Sequence, residues 1–143
     1  MAYDLAGRTV VLTGAASGIG AALARALAAK DARLILVDRS RGALDAIAEE
    51  LAPSVSSAHA FDIRDRKAVT ALPARIMHGN EARHIDILIN NAGIAAMGRF
   101  DETSLDEFDA VMAINFGGVL TMSNGVQKGP PIGVEEGPPL RIC

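Results

Sequence analysis

The segment Thr13-Gly14-Ala15-Ala16-Ser17-Gly18-Ile19-Gly20 constrains this chain more than any other. It lies between an apolar run, Thr9-Val10-Val11-Leu12, and a helical pattern from Ala21 to Lys30. Recurrent glycine between a strand and a helix has a physical use. It allows a tight turn with positive φ, a close backbone approach to a charged group, and tight packing of the helix on the strand. The unpaired amides at the start of that helix favour an anion.

The pattern continues along the chain. Strand-like runs alternate with helical periods from Thr9 to about Leu120, which predicts βαβαβαβα and a parallel sheet with helices on both faces. Right-handed crossovers give a Rossmann-type α/β fold with strand order 3-2-1-4. Asp38 closes the second run, Leu34-Ile35-Leu36-Val37, and stands 20 residues after Gly18. At that separation an acidic side chain reaches the ribose hydroxyls of an adenine dinucleotide. A third strand, Ala58 to Phe61, leads to Asp62, and a fourth, Ile85 to Ile89, leads to Asn90-Asn91-Ala92-Gly93.

Taken together these residues resemble the short-chain dehydrogenase/reductase family. Gly14, Gly18 and Gly20 match its GxxxGxG pattern, Asp62 its adenine-side aspartate, Asn90 to Gly93 its NNAG segment, and Asn115 its helix asparagine. The resemblance covers roughly residues 5 to 124, and residues 1–124 are the expected dinucleotide-binding domain. It implies cofactor contacts by Gly14, Ser17, Gly18, Ile19, Gly20, Asp38, Arg39, Asp62, Ile63, Asn90, Ala92 and Gly93. It also gives Asn115 a place in a proton relay, at a local helix distortion that Gly117-Gly118 would permit.

NAD is favoured over NADP. A 2′-phosphate close to the Asp38 carboxylate would be repelled by about 4 kcal/mol per charge at an effective dielectric of about 20, and by about 1 kcal/mol if water screens it fully. Ser17 agrees, because NADP-binding relatives often carry a basic residue there, whereas Arg39 pulls toward a phosphate. Alternatives stay open for single residues. Asp62 could cap Ile63 and Arg64 at a strand end, Asn115 could be a hydrogen-bonded core residue, and Thr13 is read as tying the first strand to the NNAG loop.

A complete site of the resembling family also uses a Ser that orients the substrate carbonyl, a Tyr acid/base, and a Lys four residues later that lowers the phenol pKa. None is assignable here. Tyr3 is the sole tyrosine, Lys128 has no tyrosine four residues before it, and Ser123 follows Asn115 too closely. The expected activity is therefore NAD binding without turnover by this chain alone, within a family that oxidises alcohols or reduces carbonyl compounds. The rival reading is a noncatalytic NAD-binding or protein-interaction module, and a methyltransferase would leave Asn90 to Gly93 unexplained.

Composition narrows the remaining classes. At 143 residues, half of them apolar, the chain can bury a core. A net charge of −3 and a pI near 5.5 offer no basic patch for nucleic acid or an anionic membrane. No targeting segment or membrane span is legible, so the sequence reads as cytoplasmic. Cys143 is the single cysteine, and no metal-ligand spacing occurs.

Several local expectations can be checked against structure. Asp31 ends the first helix in a left-handed conformation, and Ser40 caps the second. Pro73 kinks or interrupts a third helix that begins near Asp65. Ser104 and Glu107 form a capping box on a fourth helix that buries Leu105, Phe108, Val111, Met112 and Val119. Residues 125–143 hold four of the six prolines with no helical or strand period, and read as a disordered tail. A truncated or out-of-frame coding region would produce such a segment. The fourth strand would then be an open apolar edge, suited to self-association.

Overall fold

In the computed structural model, residues 4–78, 84–127 and 141–143 are described. Elements alternate as the sequence predicts: β1 (Thr9–Thr13), α1 (Gly18–Ala28), β2 (Arg33–Asp38), α2 (Arg41–Glu50), β3 (Val55–Ala60), α3 (Arg66–His78), β4 (Ile87–Ile89), α4 (Leu105–Met112), a π-helical segment (Ala113–Gly118), α5 (Val119–Gln127) and β5 (Arg141–Ile142). The strands form one sheet in the order β3-β2-β1-β4-β5, and all pairings are parallel.

Period-two alternation divides the core. Val11, Ile35, Val37 and Leu88 face one layer with Val69, Leu72 and Met122, while Val10, Leu12, Leu34 and Leu36 face the other with Ala24, Leu27 and Leu44. Each fully buried Leu, Ile or Val contributes about 1.5–3 kcal/mol of transfer free energy. Helix α1 is alanine-rich, which favours the helical backbone, and its buried stripe against the sheet holds it. It ends at Asp31, whose φ of 57° is left-handed as expected. There the Asp31 amide donates to the Ala28 carbonyl and the Ala32 amide to the Leu27 carbonyl, a Schellman closure.

Register between β1 and β4 is fixed at their amino-terminal ends. The side chain of Asp86 is 2% exposed. It accepts the Thr9 amide at 2.8 Å and the Arg8 guanidinium at 3.0 Å, and lies 3.1 Å from His84 Nε2. A carboxylate buried this deeply is tolerated because several donors converge on it.

Four local expectations are corrected. Pro73 lies inside a continuous α3. The Val69 carbonyl, four residues earlier and deprived of an amide donor, instead faces Gly125 of α5, where a Cβ would sit 3.4 Å from it and 2.7 Å from Val69 Cγ1. Ser40 precedes α2, but its side chain caps nothing and its amide donates to Asp38 Oδ1 at 2.9 Å. The stripe expected to be buried on α4 is not: Leu105 is 80% and Met112 58% exposed, and no residue of α4 is fully buried. Finally, β4 is not the sheet edge, because β5 pairs with it through Ile87↔Arg141 and Leu88↔Ile142. The pairing is made through backbone bonds, which carry no residue signature, so no apolar period announced it in the sequence.

The capping box is present, with Ser104 Oγ accepting the Glu107 amide and Glu107 Oε2 accepting the Ser104 amide. The expected domain end at residue 124 falls within α5, and of the tail expected to be disordered, residues 128–140 lie outside the described residues, as do Tyr3 and Lys128. Among the described residues no helix is long and apolar enough to cross a membrane.

Candidate cofactor groove

The carboxyl ends of β1, β2 and β4 open into a groove of about 350 Å³. Ligands of open α/β sheets bind outside the carboxyl ends of strands, where the order reverses, and here that point lies between β1 and β4. The glycines along its floor divide the work. Gly20 has no room for a side chain: a Cβ would collide with the Gly14 carbonyl oxygen and come within 2.7 Å of Asn91 Nδ2. Gly18 is the opposite case, with φ +50° and nothing within 4 Å of a Cβ position. Gly18 itself lines the groove.

Helix α1 begins at this point. The first helical bond is donated by the Ala21 amide to the Ser17 carbonyl. The amides of Gly18, Ile19 and Gly20 are therefore the orphan donors of the helix start, and all three residues line the groove. Ser17 stands at the cap position, and its hydroxyl makes no cap bond. Partial positive charge and unfilled donors suit a phosphate here.

Asp38 and Arg39 line the groove at the end of β2. Asp38 Oδ2 accepts the Ala16 amide at 3.0 Å and Oδ1 accepts the Ser40 amide. The same carboxylate thus braces the glycine turn and the start of α2. Beyond β3, Asp62 accepts the Arg64 amide at 2.9 Å and its guanidinium at 2.6 to 3.1 Å. The hydrogen-bonded Arg64 side chain holds the Asp62 carboxyl below the usual carboxylate range, and the charge of Arg39 adds to this. The groove also takes in Ile63.

The opposite wall is the segment after β4. Thr13 Oγ1 accepts the amides of Asn91 and Ala92 at 3.0 and 3.1 Å and donates to the Ile89 carbonyl at 3.3 Å, which ties β1 to this loop as the sequence suggested. Ala92 and Gly93 line the groove. Asn90 does not: its Nδ2 donates to Ser123 Oγ at 3.3 Å. Asn91, its neighbour, reaches across to the carbonyls of Thr13 and Gly14 instead. Asn115 sits within the π-helical segment, where the sequence placed a helix distortion. It bonds the backbone of Ile94 through both side-chain atoms. Sequence reasoning missed Phe61, Ile94 and Ile114 as lining residues, because apolar walls carry no motif, and it named Asn90 where Asn91 lines the groove.

The sequence and the fold are similar to those of known proteins. The family model for short chain dehydrogenases matches residues 8–129. The chain belongs to the short chain dehydrogenase family. It is 41% identical over 113 residues to galactitol 2-dehydrogenase (L-tagatose-forming) of Cereibacter sphaeroides, covering 79% of this chain and 43% of that protein. It is 38% identical over 115 residues to D-threitol dehydrogenase of Mycolicibacterium smegmatis, covering 79% of this chain and 44% of that protein. The chain thus spans less than half the length of these relatives. A crystal structure of a short-chain glucose/ribitol dehydrogenase from Brucella melitensis superposes with a TM-score of 0.78 at 31% identity, over 88% of this chain and 53% of that one.

Proposed function

We propose that this chain is the dinucleotide-binding portion of a short-chain oxidoreductase and that it holds NAD in preference to NADP. One observation carries the reading: a single groove gathers the open start of α1, the Asp38 carboxylate, Asp62 and the Ala92-Gly93 wall. The residues fit the cofactor. Gly18 has open space where backbone must approach a pyrophosphate, and the helix start supplies donors of the right sign. Asp38 would accept the ribose hydroxyls and repel a 2′-phosphate.

When bound, the nicotinamide ring supplies a hydride acceptor or donor for an alcohol or carbonyl carbon. What the chain's own residues do is bind and orient. Asn115 keeps the Ala92 to Ile94 wall in place through Ile94, and Thr13 anchors the same loop to β1. Tyr3 is the only tyrosine and no Tyr-x-x-x-Lys occurs, so the sequence supplies no lysine-paired phenol to carry the proton that must accompany hydride transfer. Binding without turnover is the activity assigned to the chain by itself. An alcohol or carbonyl substrate belongs to the complete protein.

Titration calorimetry with NAD, NADP and S-adenosylmethionine tests the reading. NAD should bind more tightly than NADP, and S-adenosylmethionine should not bind. Absence of any NAD binding, or oxidation of secondary alcohols by the mass-verified chain, would overturn it.

A further inference from the structure

Two adjacent glycines lie in the π-helical segment, and lack of space requires a glycine at only one of them. A Cβ on Gly117 would meet nothing closer than 3.8 Å, whereas one on Gly118 would collide with Ile63 Cδ1 and stand 2.8 Å from its Cγ1. Neither residue has a positive φ, so conformational freedom does not explain the second glycine. A helix interior disfavours glycine relative to alanine, and Gly118 is buried. What its missing side chain provides is room for Ile63.

Ile63 has two sides. It is 7% exposed and belongs to the core layer that includes Val69, Ile114 and Met122, yet it also lines the groove beside Phe61 and Asp62. A core at native density does not take in a displaced side chain, so an Ile63 pushed off Gly118 has the groove to move into. On the reading that the groove holds NAD, the pyrophosphate lies at the start of α1 beyond β1 and a ribose on Asp38 beyond β2. The base then falls one strand further along the sheet, over the residues that follow β3.

We propose that Gly118 is a positioning residue for the adenine ring: carrying no side chain, it lets Ile63 lie back against the π-helical segment and so sets the depth of the groove beyond β3. The inference rests on the dinucleotide reading of that groove. Gly118 does not line the groove and acts through Ile63.

The probe is adenosine monophosphate, titrated calorimetrically into the unmodified chain and into the Gly118→Ala, Ile63→Ala and doubly substituted chains. Gly118→Ala should weaken its binding about fivefold or more beside the native Ile63, and by less than about twofold in the Ile63→Ala background, because the two side chains act on each other. In that background only the Cβ of position 63 remains, 3.7 Å away. Gly117→Ala, whose Cβ has room, should leave the affinity unchanged. A role for Gly118 in stability alone would lower the thermal midpoint without this dependence on Ile63. Equal losses in both backgrounds, or no loss in Gly118→Ala, would overturn the proposal and leave NAD binding by the unmodified chain untouched. Failure of adenosine monophosphate to bind the unmodified chain would overturn both readings. Should Gly118→Ala fail to fold, nuclear Overhauser contacts in the unmodified chain decide. An Ile63 methyl should show them both to the Gly118 α protons and to the protons of the bound adenine, and the absence of either would overturn the proposal.

Discussion

Asn115 and Ile94 form a closed pair across the groove wall: Asn115 Oδ1 accepts the Ile94 amide at 2.9 Å, and Asn115 Nδ2 donates to the Ile94 carbonyl at 2.8 Å. A carboxamide used in this way substitutes for one step of a β-ladder. The π-helical geometry of Ala113–Gly118 places it where a loop without secondary structure would otherwise be free.

Asn115→Ala should therefore cost about 1–2 kcal/mol of stability, from two net hydrogen bonds. NAD affinity should fall by more than stability alone explains, because the Ala92-Gly93 wall loses its tether. Urea denaturation and titration calorimetry on the same preparation would separate the two effects.

Gly18 and Gly20 should fail differently. Gly20→Ala drives a Cβ into the Gly14 carbonyl oxygen and should lower stability by about 1–3 kcal/mol, as overpacking does. Gly18→Ala meets no atom within 4 Å and suffers only its left-handed φ, a cost of about 1–2 kcal/mol. Its larger effect should be on NAD, since a methyl would stand on the open face. Comparing thermal midpoints with NAD affinities would show whether one glycine serves packing and the other the ligand.

Asp38→Asn should shift selectivity toward NADP. Removing the charge removes the repulsion of a 2′-phosphate, and the NADP:NAD affinity ratio should rise about fivefold or more, fivefold being the screened end of a range from about 1 to 4 kcal/mol. Asparagine retains one acceptor oxygen, so one of the Ala16 and Ser40 amide bonds weakens, and NAD affinity should fall modestly. An unchanged ratio would remove Asp38 as the discriminating residue.

Glu107 gives a pH dependence with a definite sign. Accepting first the Ser104 amide and then the Ser104 hydroxyl holds its carboxyl below the ordinary value. A carboxyl lowered by folding contributes stability that is fully present above its unfolded pKa and is lost as pH falls through the folded one. The start of α4 should thus be insensitive to pH above about 5 and loosen below the usual glutamate value near 4.3. Ser104→Ala should move the Glu107 titration, followed by carboxyl carbon NMR, part of the way back up, because the backbone bond remains.

Gly125→Ala would test the contact that accommodates Pro73. Val69 is fully buried, so a methyl at 2.7 Å from its Cγ1 cannot be relieved by rotation into solvent. A loss of about 1–3 kcal/mol is expected in thermal unfolding, with α3 retained by circular dichroism.

Much of this arrangement was legible because it is local. Apolar alternation placed β1 and β2, alanine content and Asp31 placed α1 and its end, and the Gly18 to Asp38 spacing picked out two residues that line one groove. What escaped the sequence depends on distant partners. Pro73 is accommodated by Gly125, Asn90 turns away toward Ser123, and β5 is held by amides that every residue carries. Leu105 and Met112 have helical spacing and apolar side chains, yet among the described residues no element lies over them. Periodicity reports a face, not whether anything covers it.

Asp86 lies at the far end of the sheet from the groove, yet it governs the groove's shape. By gripping the Thr9 amide it sets how far β4 slides along β1, and a parallel strand advances about 3.3 Å per residue. A slip of one position would carry the Ala92-Gly93 wall by that distance past the glycine turn, more than the length of the hydrogen bonds that Thr13 makes to it. The far wall of the groove is thus levelled from its foundation, by a carboxylate that does not line it.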